Sequence, residues 1–207
     1  MRRRGRPGLS TAAVVDAALE VIDEGGVEAL TLAAVAARTG VAPPSLYKHV
    51  RNLAELRQLV AQRVLGDMTG LLGAAVMGRS GDDAVAALLH TWRAYVVEHP
   101  GRYAAVPLDP LRDPVLAPAG TRLMEVILAV LRGYGLADDE AIHATRRLRA
   151  AAHGFATLEA AGGFGMDVDV DESYARLVDM AVASLAPTPA TRPTVTDGGR
   201  GSAGSWR

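Results

Sequence analysis

The sequence predicts an all-α protein. Three observations carry this: apolar residues recur at helical spacing along most of the chain, strand-like alternation is absent, and glycine or proline clusters punctuate the periodic segments. Ser10 or Thr11 can cap a first helix with the stripe Val14, Ala17, Ala18, Val21 and Ile22, which Gly25-Gly26 ends. Thr31 can cap a second, with Leu32, Val35 and Ala36 inward and a turn at Gly40. Pro43 or Pro44 opens a third, at a position where a missing N–H costs nothing. Leu46, Val50 and Leu53 continue its inward stripe, which leaves Ser45, Tyr47, Lys48 and His49 outside.

A longer helix runs from about residue 53 to 77 and ends at the glycines of 78–81. Asp82 or Asp83 opens the next, and His99-Pro100 closes it. Residues 106–118 hold four prolines and read as irregular. Helices follow at about 119–134 and 138–161, the second ended by Gly162-Gly163. The last spans about 171–185, and its stripe of Tyr174, Leu177, Val178, Ala181, Val182 and Leu185 is the cleanest in the chain. From Pro187 on, the Pro, Thr, Gly and Ser content predicts disorder.

At 207 residues and 49% apolar, the chain suits one large domain or two small ones with a sizeable core. No uninterrupted apolar run approaches the ~20 residues of a membrane span. The N-terminal arginines are not followed by the apolar stretch of a signal peptide, so no membrane partner is expected. Without cysteine there is no disulfide or thiolate zinc chemistry, which fits a cytoplasmic protein. The formal net charge is −1, but it is unevenly spread. Arg2, Arg3, Arg4 and Arg6 stand in the first nine residues with no acid, whereas residues 58–186 carry eleven basic against sixteen acidic groups. A polyanion is drawn to the N-terminal end.

Two short helices joined at Gly40, the second with a polar, aromatic and cationic outer face, have the form of a helix-turn-helix that docks in the DNA major groove. Lys48 is the only lysine of the chain, and Tyr47 the only aromatic residue before Trp92. A core helix in a plain hairpin would not place its one aromatic between a leucine and a lysine on an outward face. Residues 11–57 resemble the N-terminal domain of the tetracycline-repressor (TetR) family, in the run Thr31-Leu32-Ala33-Ala34-Val35-Ala36, in Thr39-Gly40-Val41, and above all in Ser45-Leu46-Tyr47-Lys48-His49-Val50. Leu53 replaces a lysine that usually touches a phosphate, and Val50 a usual phenylalanine. The resemblance implies that Tyr47, Lys48, His49 and Thr31 hold phosphates while Pro44 and Ser45 face bases. This agrees with the chemistry of hydroxyls and cations for register, and of small groups for base edges. Lys48 reading a guanine stays open. The segment Arg2-Arg3-Arg4-Gly5-Arg6-Pro7 is similar to an AT-hook core suited to a narrow A·T minor groove; a tail adding only non-specific affinity is the equal alternative.

The second half resembles a TetR C-terminal type named for a Trp-His-Gly motif, in Trp92-Arg93-Ala94-Tyr95, residues 98–103, Ala152-His153-Gly154-Phe155 and residues 158–164, with Ala152 in the place of the tryptophan. The resemblance implies a half that dimerises and binds a small-molecule effector. Trp92, Tyr95, Tyr103, Met124, Leu128, His153 and Phe155 are the candidates for lining its pocket, each alone also compatible with core packing. The small residues of 150–156 and the stripe of the last helix are the expected dimer seam, with internal core as the alternative for that stripe. No nucleophile elbow, phosphate loop, metal-spaced histidine pair or dinucleotide fingerprint is found, so neither enzyme activity nor a cofactor nor a metal is expected. The acidic run at 167–172 reads as a solvated helix start, not a calcium loop. The expectation is a homodimeric one-component repressor. It has a basic arm (1–9), a DNA-binding domain (10–57), an effector and dimerisation domain (58–186) and a tail (187–207), and it binds a palindromic double-stranded operator. The alternatives are a helical ligand-binding or architectural protein with only non-specific DNA contact, and a small all-α enzyme.

Overall fold

The computed structural model describes residues 9–186, all of whose regular elements are helical. The arginines of the arm and the segment after residue 186 lie outside the described residues. Nine α-helices follow one another: α1 (Thr11–Gly25), α2 (Leu32–Thr39), α3 (Pro43–Leu46), α4 (Leu53–Val76), α5 (Gly81–Glu98), α6 (Pro100–Ala104), α7 (Ala117–Arg132), α8 (Asp138–Ala160) and α9 (Val170–Ala183). Short 3-10 turns stand at Val27–Ala29 and Pro110–Arg112.

The caps are local side-chain chemistry. The Ser10 hydroxyl accepts from the Ala13 amide at 3.2 Å, Thr31 from Ala34 at 3.1 Å, and the Asn52 carboxamide from Glu55 at 2.9 Å. Gly26 ends α1 at a φ of 74°, where only glycine is unstrained. The third helix is shorter than its periodicity suggests. Asn52 already caps α4 six residues after Leu46, which leaves the chain no room for further turns. Residues 47–49 therefore continue as a tight turn, with the His49 amide donating to the Leu46 carbonyl at 2.8 Å.

One continuous core joins the two ends of the molecule. Val14, Ala18, Val35, Ala36, Leu46 and Val50 close the first three helices on each other. α4 lies beneath them and also packs against α5 and α7. By length and composition alone α4 could cross a membrane, but here Leu56, Val60, Val64, Leu65, Met68 and Leu72 bury it in the core, and it carries Arg57, Arg63 and Asp67. The proposed division at residue 57 falls inside this unbroken helix.

The last helix departs from expectation. Tyr174, Val178, Ala181 and Leu185 are at most 6% exposed within a single chain, because α9 lies on α5 and α8 of its own protomer. Tyr174 donates to the Leu89 carbonyl at 2.6 Å. The stripe expected at the dimer seam is thus internal core, needed to cover α5. Arg93 of α5 fixes this corner, reaching Glu159 of α8 at 2.6 Å and Asp171 of α9 at 2.7 Å. Its guanidinium also lies 4.8 Å from the centre of the Tyr174 ring. What α8 and α9 turn outward is different: Leu158 and Met180, more than half exposed, among Ala150, Ala183 and arginines.

Candidate nucleic-acid interface and effector cavity

The turn between α2 and α3 is built on Gly40, at φ 69° and ψ 28°, a left-handed conformation that caps α2. Its amide and that of Val41 return to the carbonyls of α2, the second to Ala36 at 3.1 Å. Ala42 is held extended by the proline that follows. Arg38 ties α2 to α1 through Glu20, at 3.4 Å, and Glu24. The Thr11 hydroxyl donates to the His49 carbonyl at 3.4 Å, bracing the end of the turn after α3.

On this frame Pro44, Tyr47 and Lys48 are exposed, Tyr47 by 58%. Ser45 and His49 are half-buried beside them. Thr31 is exposed at the start of α2; its oxygen is occupied by the Ala34 amide, which leaves the hydroxyl proton free to donate. The residues predicted to meet DNA are thus outward or rim positions of one short segment and the neighbouring helix start. Arg51 was missed. Its side chain is 83% exposed just beyond this run, with Glu55 at 3.2 Å as its partner. A basic residue directly after the motif, close to the place where Leu53 replaces lysine, was the available signal.

A cavity of about 400 Å³ opens among α4 to α8 and the proline segment. Leu65 and Met68 of α4, Trp92 of α5, Tyr103 of α6, Leu123, Met124 and Ile127 of α7, and Arg149 and His153 of α8 line it, with residues 106–111 at its mouth. The structure brings together four of the predicted residues: Trp92, Tyr103, Met124 and His153. It leaves out three. Phe155 stands two residues beyond His153, about 200° around the helix, and packs instead on Tyr174 and Phe164 at ring distances of 4.9 and 4.7 Å. Leu128 packs against the core without reaching the cavity. Tyr95 leans toward α1, α4 and α6, its ring 5.2 Å from His99. Its hydroxyl is buried without a partner, and burial pushes its pKa up to about 12. Arg149 and the α4 side chains were not foreseen, although Arg149 lies one helical turn before His153.

The polar lining is a hydrogen-bonded chain. Trp92 Nε1–H donates to the Tyr103 hydroxyl at 3.3 Å, and that hydroxyl meets His153 Nδ1 at 2.9 Å. An indole only donates, so the Tyr103 oxygen accepts from Trp92, and either its proton or its second lone pair serves His153 Nδ1 according to the imidazole tautomer. Burial raises the Tyr103 pKa. Next to Tyr103 on α6, Arg102 faces the other way and holds Asp23 of α1 at 2.8 Å. Gly101 sits against the Ile22 carbonyl, where an added Cβ would stand 2.9 Å from the oxygen. One turn of helix therefore touches both the cavity and α1.

The model of bacterial regulatory proteins of the tetR family matches residues 14–58, and that of the tetracyclin repressor-like C-terminal domain matches residues 85–181. An uncharacterized HTH-type transcriptional regulator of Mycobacterium tuberculosis is 37% identical over 86% of this chain and 82% of its own length. The chain belongs to the tetR family. A second relative, the uncharacterized HTH-type transcriptional regulator YobS of Bacillus subtilis, is 36% identical over 81% of this chain and 88% of its own. The fold is shared with a solved TetR regulator of Streptomyces coelicolor, at a TM-score of 0.70 and 20% identity over 86% of this chain and 98% of that one. Like its TetR relatives, the protein is a DNA-binding transcriptional regulator whose second half is a tetracyclin repressor-like domain. The matched C-terminal description does not name the Trp-His-Gly type.

Proposed function

We propose that this TetR protein is a cytoplasmic homodimeric repressor that a small molecule in the cavity releases from a pseudo-palindromic operator. The observation that carries this is α6. Tyr103 lines the cavity while Arg102 and Gly101 bear on α1, so a molecule that displaces Tyr103 moves the support of the helix-turn-helix. Such a molecule acts only through its different affinity for the DNA-competent and released arrangements.

At the DNA, Tyr47, Lys48, His49 and Thr31 hold phosphates and Pro44 and Ser45 face bases, with the arm Arg2, Arg3, Arg4 and Arg6 adding contacts beyond them. Arg51 supplies the cation that Leu53 lacks. Two copies pair through the outward faces of α8 and α9, where Gly154 and Leu158 share one side of α8 with Ala151, and Met180 and Ala183 one side of α9. Pairing sets the two recognition segments about one DNA turn, 34–36 Å, apart. The deciding experiment is selection of bound sequences from random DNA, followed by footprinting with and without candidate effectors. A two-fold consensus, protected by the dimer and released by a compound that perturbs Trp92, supports the reading. Protection without a consensus refutes it in favour of non-specific contact.

A further inference from the structure

We infer that the cavity takes an apolar anion, its acidic head at Arg149 and His153 and its body against Met68, Leu123 and Ile127; this rests on the reading of the cavity as the effector site. The argument is one of donors and acceptors. Arg149 carries the formal charge of the inner lining and has donors to spare, whereas the Tyr103 and Thr157 hydroxyls offer only neutral acceptor lone pairs. Arg149 has no carboxylate partner among the described residues and donates only to the Leu108 carbonyl. His153 has Nδ1 engaged by Tyr103, and its Nε2 makes no hydrogen bond among the described residues. The Trp92 N–H is already used on Tyr103, and the Thr157 hydroxyl on the His153 carbonyl at 2.6 Å.

The one acid at the cavity, Asp109, lies at the more exposed mouth and is held by Arg112 at 3.0 Å. Elsewhere the lining is aliphatic, aromatic or thioether. A half-buried guanidinium without a counter-charge among the described residues, one helical turn from an imidazole and above an apolar chamber, is complementary to a carboxylate on a hydrophobic body. It discriminates against an amine of the same shape. The tie from Arg149 to Leu108 closes the proline segment over the cavity, so the ligand's head competes for the group that holds the mouth.

Trp92 reports occupancy directly, and replacing the other tryptophan in a Trp206→Phe background isolates its fluorescence. Two matched pairs serve as probes, dodecanoate with methyl dodecanoate and 2-naphthoate with methyl 2-naphthoate, titrated at neutral pH below micelle formation. At least one acid is expected to bind about 10-fold or more tightly than its ester, the usual scale of a charge-assisted hydrogen bond. Arg149→Gln should remove that preference, so that acid and ester bind the variant alike, and Arg149→Lys should keep part of it; a cooperative urea melt checks that each variant folds. Equal binding of acid and ester to the parent protein, or no response of Trp92 to either acid, overturns the inference whatever the variants do. So does a preference that survives Arg149→Gln. Operator release by compounds without acid preference leaves the regulatory reading standing and refutes this one. Acid-selective binding without any change in operator affinity does the reverse.

Discussion

Replacing Gly101 by alanine tests the contact between α6 and α1. The new Cβ would stand 2.9 Å from the Ile22 carbonyl oxygen and 3.0 Å from its Cγ2, where ordinary contact begins at 3.4 Å. The obstacle is backbone, so no rotamer relieves it, and α6 must retreat by roughly half an ångström. Overpacking of this kind costs about 1–3 kcal/mol, offset by about 0.5–1 kcal/mol for alanine over glycine in a helix. The net loss is about 1 kcal/mol, or about 2–4 °C for a chain of this size. Urea denaturation followed by circular dichroism measures it as a lower midpoint at unchanged slope. Gly70→Ala, on the exposed side of α4, is the control for stability, since nothing lies within 4 Å of its added Cβ. The retreat also loosens Arg102 from Asp23, so an effector should alter operator affinity less in Gly101→Ala than in the parent. A Gly101→Ala midpoint equal to or above the parent's would refute the claim that α6 bears on α1.

Lys48→Ala should weaken operator binding about 5- to 10-fold, leave the fold intact and lower the salt slope by about one; unchanged affinity at physiological salt would remove Lys48 from the interface. Leu158→Arg should give folded monomers by sedimentation, whereas Val178→Arg, 4% exposed, should fail to fold because it buries a charge without a partner. A folded dimer of Leu158→Arg would place the seam elsewhere. The protein should lose stability in alkali. Folded Tyr95 keeps its proton to about pH 12 against an ordinary value of 10.0, so the folded state binds more protons in that window. Its contribution is whole below pH 10 and falls by about 1.4 kcal/mol per pH unit above it. Tyr103 and Tyr174, also raised by burial, add in the same direction. Tyr95→Phe should flatten the decline and, by removing an unpartnered buried hydroxyl, raise the urea midpoint at pH 7.

Much of the fold was legible because it is written locally. Ser10, Thr31, Gly26 and Gly40 are cap chemistry, and caps act within four residues. The inward stripes of α1 and α2 follow from a 3.6-residue period, as does the outward face of Tyr47 and Lys48. What was not legible depends on which neighbour a face meets. The stripe of α9 has the same pattern whether it covers its own α5 or a second chain, and only the docked helix shows Tyr174 reaching Leu89. Tyr95 and Phe155 were set beside Trp92 and His153 because they are aromatic and near in sequence. Helix phase carries them to other surfaces. Arg149 escaped notice because an arginine in a sequence of many arginines has no distinguishing mark until its missing counter-charge is seen.

That α4 runs unbroken from Leu53 to Val76 constrains how such proteins can exchange parts. Its first turns support the helix-turn-helix, and Leu65 and Met68 farther along line the cavity. A fragment cut at residue 57 would carry little more than one turn of the helix that completes its core. Swapping one regulator's DNA specificity onto another's sensory half therefore requires a junction inside α4 that keeps its angular phase. A single inserted residue would turn the two halves by about 100° against each other, whereas seven would return them almost to register. Recombination between relatives is then free in sequence but quantised in length, and descendants that work should differ along α4 by whole turns.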